Sequence, residues 1–66
     1  MKVKFDPGAD ALYIRLDEAP IIESAEVGPG VILDFDAENR VVGIEVLDAQ
    51  KRLPEAQLRQ MQFEVA

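Results

Sequence analysis

Asp34, Asp36 and Glu45 are the residues of this chain whose type and spacing come nearest to a chemical site. Alternation along two neighbouring extended runs puts all three on one face, and hairpin pairing makes Asp34 and Glu45 diagonal neighbours within reach of a shared ligand. Gly43 lies between them and leaves a patch that a ligand or another backbone can approach. Tyr13 and Arg15 occupy the corresponding face of an earlier hairpin, so Arg15 can reach Asp34 or Glu45 if the hairpins share a sheet. Three chemistries fit: an ion-pair network at a subunit interface, a carboxylate site for a divalent cation, or an acid/base pair. A Mg²⁺ or Ca²⁺ site wants more oxygens in defined geometry, so the three carboxylates are weak metal candidates and no metal or cofactor is expected. Catalysis would need a pocket holding a perturbed carboxyl, for which a sheet face of this size has little room.

Other chemistry is closed off by composition. The chain has no His and no Cys, which removes the imidazole base, the thiolate nucleophile and the usual zinc ligands. Ser24 is the only serine, and no His or nearby Lys activates it. Gly28, Gly30 and Gly43 do not form a phosphate-cradling loop, and no Lys follows them as a P-loop requires. Enzymatic activity is therefore not expected. Asp6 and Asp10 flank Pro7-Gly8-Ala9 and read as turn formers that accept bonds from nearby backbone N–H groups.

The elements that must position these residues are two hairpins, a connecting strand and a helix. Lys2–Phe5 and Ala11–Leu16 alternate in period two around the Asp6–Asp10 turn, with Val3, Phe5, Leu12, Ile14 and Leu16 opposed to Lys2, Lys4, Tyr13, Arg15 and Asp17. Residues 21–27 read as an edge strand whose Glu23, on the face of Ile21, Ala25 and Val27, discourages stray pairing. Val31–Asp36 and Val41–Asp48 form the second hairpin. Pairing Phe35 with Val42, Leu33 with Ile44 and Val31 with Val46 gathers six apolar side chains on one face, whereas a one-residue slip would bring Asp34 or Asp36 among them. The turn then centres on Glu38-Asn39, where Asn tolerates the left-handed conformation. The opposite face carries Ile32, Val41 and Leu47 beside Tyr13, Arg15, Gly43 and the carboxylates, a candidate partner or interface face.

From Pro54 to Val65 the period changes, with Leu58, Met61 and Val65 at helical spacing, and Pro54 and Glu55 suit a helix start. Asp48 is placed to cap a helical turn in the 49–53 linker. The expectation is a single α+β domain over 1–66: an antiparallel sheet of four to five strands at 2–48, a linker turn at 49–53 and one helix at 54–65 packed on one sheet face. Its core would be Leu12, Ile14, Leu16, Val31, Leu33, Phe35, Val42, Ile44, Val46, Leu58 and Met61.

Three runs carry a resemblance. Phe5-Asp-Pro-Gly-Ala-Asp-Ala-Leu-Tyr-Ile-Arg-Leu16, Gly30-Val-Ile-Leu-Asp-Phe-Asp36 and Val42-Gly-Ile-Glu-Val-Leu-Asp-Ala49 resemble the small prokaryotic family known as domain of unknown function 2283, over roughly residues 2–53. The resemblance implies no activity and no catalytic or binding residues. Some similar members are encoded beside small toxin-like proteins, which implies an antitoxin-like role.

At 66 residues the chain buries only about 60% of its unfolded surface, and without disulfides or a structural zinc a homo-oligomer, most simply a dimer, is the expected remedy. The net charge of −6 is uneven: from Leu16 to Asn39 there is no basic residue but there are seven acidic ones, Asp17, Glu18, Glu23, Glu26, Asp34, Asp36 and Glu38. That pattern argues against nucleic acid and favours a basic protein partner. No run is long and apolar enough for a secretion signal or membrane span, so the expected location is cytoplasmic, with no membrane partner. The function read from sequence is a small acidic protein-binding module, antitoxin-like and homodimeric; the alternative is small-ligand or divalent-cation binding on the polar sheet face.

Overall fold

Alternation in period two yields five strands in the computed structural model, which describes residues 1–54 and 58–66. They are β1 (Lys2–Asp6), β2 (Ala11–Arg15), β3 (Glu23–Gly28), β4 (Val31–Phe35) and β5 (Val41–Leu47), followed by a short helix α1 (Ala49–Arg52). All pairs are antiparallel and the spatial order is β1-β2-β5-β4-β3, so β1 and β3 are the two edges. The expected α+β class, with an antiparallel sheet built from hairpins and one short C-terminal helix, is the architecture found.

Pairing sorts the side chains into two faces. Val3 opposes Ile14 and Phe5 opposes Leu12; Leu12 opposes Val46, Ile14 opposes Ile44, Val31 opposes Val46, and Leu33 opposes Ile44. One face is thus apolar across four strands, and Ala25 opposite Leu33 extends it onto β3. The other face carries Lys2, Lys4, Tyr13, Arg15, Glu45, Ile32, Asp34, Ser24 and Glu26.

The second hairpin departs from its expected register at one end. Leu33–Ile44 and Val31–Val46 pair as expected, but Phe35 pairs with Val41 because a bulge lies between the Asp34–Gly43 and Phe35–Val41 pairs. One extra residue, Val42, is absorbed there. Val41, expected on the polar face, therefore shares the face of Phe35. Val42 is 2% exposed, and its carbonyl accepts the N–H groups of Leu16 (2.8 Å) and Asp17 (3.3 Å). Asn39 takes the left-handed conformation at φ 62°, and its N–H donates to the Asp36 carbonyl at 3.0 Å.

The helix is displaced from its expected span. It occupies Ala49–Arg52, in the segment read as a linker, and Leu53 after it is extended at φ −125°, ψ 138°. The residue before a proline is driven out of the helical region, and Pro54 makes that break. Beyond it, Leu58 and Arg59 are helical and the Leu58 N–H donates to the Pro54 carbonyl at 3.4 Å, while residues 55–57 of the expected helix lie outside the described residues. Residues 60–66 take no regular secondary structure. The helical spacing of Leu58, Met61 and Val65 passes over Phe63, which with Met61 and Val65 makes a run of period two.

Asp48 does not cap α1 with its side chain; it sits at φ 53° and makes no such bond. Asp10 does the work from the first hairpin: its carbonyl accepts the Ala49 N–H and its Oδ1 accepts the Gln50 N–H, both at 3.0 Å. Asp6 behaves as expected, its Oδ1 accepting the Gly8 (2.9 Å) and Ala9 (3.3 Å) N–H groups. At the other end of α1, Arg52 donates through Nε to the Leu47 carbonyl at 3.1 Å and through Nη2 to the Pro29 carbonyl. The β3–β4 turn is thereby tied to the end of β5, where Gly30 at φ 74° meets the Leu47 N–H through its carbonyl at 2.7 Å.

A helix of four residues covers almost nothing of a five-stranded sheet. Among the described residues only Val42 and Ala49 are buried hydrophobics; Leu12, Ile14, Val31, Leu33, Phe35, Ile44, Val46 and Leu58 are half-buried. Leu16 and Met61, expected in the core, are exposed. Leu16 lies one residue past β2, beyond the ladder, and Met61 follows the broken helix.

Candidate functional site

The polar face is organised by a glycine. Arg15 on β2, Gly43 on β5, Asp34 on β4 and Ser24 on β3 form one cross-strand row, and Tyr13, Glu45 and Ile32 form the next. Gly43 has no side chain, so its neighbours lean over it. A Cβ there would lie 2.8 Å from Asp34 Oδ2 and 2.8 Å from the Tyr13 hydroxyl. The close approach expected at Gly43 is real, but its occupants come from the chain itself.

Asp34 is only 2% exposed, so this face is not simply solvated. Its Oδ1 accepts the Ser24 hydroxyl at 2.6 Å. Glu45 lies one row along from Asp34, diagonal to it across β4 and β5. Burial first, then the neighbouring Asp34 carboxyl and its charge, raise Glu45 above the ordinary glutamate range. The sequence placed Asp34 and Glu45 together correctly.

Arg15 does not join them. Its Nη1 donates to the Tyr13 hydroxyl at 3.1 Å and its Nη2 to the Ala19 carbonyl at 2.5 Å, while its Nε is buried without a partner. Ala19 is held by its own N–H bond to Asp17 Oδ1 at 2.8 Å, so Arg15 ties the 17–20 connection to the sheet.

Asp36 belongs elsewhere. It is buried, with Oδ1 accepting the N–H groups of Glu38 and Arg40 at 2.9 Å each, and Oδ2 accepting Arg40 Nε at 3.0 Å. The Arg40 N–H first, then the Arg40 side chain and the Glu38 N–H, hold its carboxyl below the usual range against the opposing effect of desolvation. It shapes the β4–β5 turn. The trio does not converge, and among the described residues no three His, Cys, Asp or Glu side chains are grouped to hold one metal ion.

Ile32 and Leu47 are half-buried on the polar face, as expected of partner-face residues, whereas Val41 has moved to the other side through the bulge. Two contributors were missed. Ser24 could have been found only by fixing how β3 meets β4, which a second bulge between Glu26 and Gly28 obscures. Asp10 gave a turn signal and no sign of its bond to a residue forty positions away.

Two surfaces stand out among the described residues. One is the apolar face, which Leu53, Leu58 and Met61 meet only at its β1–β2 end. The other is the β3 edge with the connection before it, where Asp17, Glu18, Glu23 and Glu26 are exposed with no Lys or Arg between them in sequence and Glu18 pairs with Lys2. No helix among the described residues is long and apolar enough to cross a membrane.

The chain belongs to the family described as protein of unknown function (DUF2283), whose model matches residues 2–50. That span holds all five strands and the start of α1. Nothing among the curated proteins or the solved structures matches the chain.

Proposed function

We propose that this member of the family is a small acidic protein-binding module that works as a homodimer, pairing its apolar sheet faces and offering its acidic β3 edge to a basic protein. The observation that carries the reading is the apolar face, of whose strand residues only Val42 is fully buried. A compact monomer of 7.3 kDa exposes about 4,200 Å², and this chain exposes 5064 Å². The excess, about 900 Å², is shared between the apolar face and the exposed C-terminal residues Met61, Phe63 and Val65, and is of the order of the roughly 800 Å² that each partner buries in an interface of standard size. The strands make the face apolar from β1 to β4, and Glu23 sits at its rim opposite Phe35. A two-fold axis through the centre would match Leu33 and Ile44 of one copy with the same residues of the other.

The basic partner follows from charge. Of the seven acids in the base-free stretch, Asp34 and Asp36 are buried, Glu18 and Glu38 are exposed but paired with Lys2 and Arg40, and Asp17, Glu23 and Glu26 are exposed with no Lys or Arg ion pair among the described residues. An antitoxin-like role is the form this takes when the partner is a small basic protein encoded beside the chain. Cation or small-ligand binding on the polar face has less support, because Asp34 is buried and bonded to Ser24, Tyr13 is bonded to Arg15, and Asp34 and Tyr13 fill the space over Gly43.

The test is co-expression with a small basic protein encoded next to this chain's gene, followed by sedimentation of the complex. Co-migration that weakens steeply with salt and is reduced in Glu23→Gln/Glu26→Gln supports the reading. Binding unaffected by both salt and the double substitution would reject the acidic edge as the contact.

A further inference from the structure

We infer that residues 61–65 are a sixth strand, added to the β1 edge of a second copy of this chain. The inference rests on the homodimer proposed above. Met61, Phe63 and Val65 alternate with Gln62 and Glu64, the pattern of a strand with one apolar and one polar face. In the single chain that pattern is unsatisfied: Met61, Phe63 and Val65 are 60%, 76% and 84% exposed, and residues 60–66 pair with no strand. An apolar run of this kind left in water calls for an edge.

Each chain has two edges, and they are not equivalent. β3 presents Glu23 and Glu26 and is interrupted by the bulge between Glu26 and Gly28, so it would repel Glu64 and break the ladder. β1 is five residues long, has β2 on one side and no strand on the other, and alternates Val3 and Phe5 with Lys2 and Lys4. A five-residue strand laid beside it puts Met61, Phe63 and Val65 next to Val3 and Phe5 on the apolar face. Glu64 then falls next to Lys2 or Lys4 on the polar face. Period, length and charge agree at β1 alone, and main-chain bonds along the edge would supply affinity.

The chain's course favours a neighbour's edge over its own. Met61 lines a cavity of about 200 Å³ with Val3, Phe5, Leu12, Leu53 and Leu58, so the segment starts over the apolar side chains of its own β1 and β2, and residues 60–66 form no ladder with its own β1. A second copy packed on that face brings a fresh edge to the place where the segment departs. Exchange of an identical element between protomers is a low-cost route to a dimer.

The chain has no cysteine, so introduced ones report unambiguously. Single variants Lys4→Cys and Glu64→Cys, mixed and oxidised mildly, should give a disulfide-linked heterodimer. The chain ended at Gln60 should keep its strand circular dichroism and dissociate at least about tenfold more readily than the full chain, for loss of the edge hydrogen bonds. β1 amides should then exchange faster. If the shortened chain dimerises as tightly as the full one and no cross-link forms, the sixth strand is overturned and the dimer stands. A cross-link formed only within a Lys4→Cys/Glu64→Cys double variant overturns the second copy in favour of the chain's own edge. A full chain that is monomeric throughout overturns both.

Discussion

Asp34 and Gly43 face each other across β4 and β5, and the carboxylate of the first lies 2.8 Å from where a side chain on the second would begin. Tyr13 closes over the same spot from β2 at the same distance. The glycine is thus what lets the buried carboxylate, its Ser24 partner and the tyrosine share one layer. Gly43→Ala should force Asp34 or Tyr13 aside and cost about 1–3 kcal/mol, as overpacking of a filled site does. Chemical denaturation of the two proteins measures it; an alanine variant of equal stability would show that the layer has slack.

Glu45 and Asp36 titrate in opposite senses, which separates their contributions by pH. Glu45 is raised, so it favours the folded chain below the ordinary glutamate value near about 4.3, and that benefit is lost as pH rises through its higher folded value. Asp36 is lowered, so its benefit is present above the ordinary aspartate value near about 3.9 and is lost as pH falls through its folded value. Glu45→Gln removes the second charge beside Asp34 and should raise the melting midpoint at pH 7 while flattening the slope on the acid side of neutrality. Asp36→Asn should lower the midpoint at pH 7 and remove the steepest acid loss. Melts at a series of pH values decide both, and an unchanged Glu45→Gln profile would show that Glu45 does not oppose folding at neutral pH.

Asp10 latches α1 to the first hairpin through Gln50, so Asp10→Asn should be mild and Asp10→Ala should cost about 1 kcal/mol, as loss of a helix cap does. For a domain of this size that is roughly 4–8 °C in the midpoint. Faster amide exchange at Gln50 would accompany it. Equal midpoints for the alanine variant and the parent would mean the latch carries no stability.

Strand periodicity made the sheet legible in advance, because alternation of Leu12, Ile14, Leu33 and Ile44 with polar neighbours is local information. It also put Asp34 beside Glu45 around Gly43. The bulge at Val42 was not legible, since Val41 and Val42 are interchangeable to any apolar pattern and only the turn's hydrogen bonds choose between them. The helix failed for a different reason: Leu58, Met61 and Val65 satisfy a helical period while Met61, Phe63 and Val65 satisfy a strand period, and the local pattern cannot rank them. Charge and face make Asp34 or Glu45 reachable partners for Arg15. In the folded chain it satisfies a hydroxyl and a carbonyl that no charge pattern announces.

The pairing of apolar faces can be weighed directly. Sedimentation equilibrium of the full chain at micromolar concentration should return twice the 7.3 kDa chain mass, and Leu33→Glu, which puts a charge at the centre of the face, should weaken self-association by at least about thirtyfold, the effect of a central interface residue. A folded chain that sediments at 7.3 kDa at every concentration, or a Leu33→Glu variant that dimerises as tightly as its parent, would contradict the account.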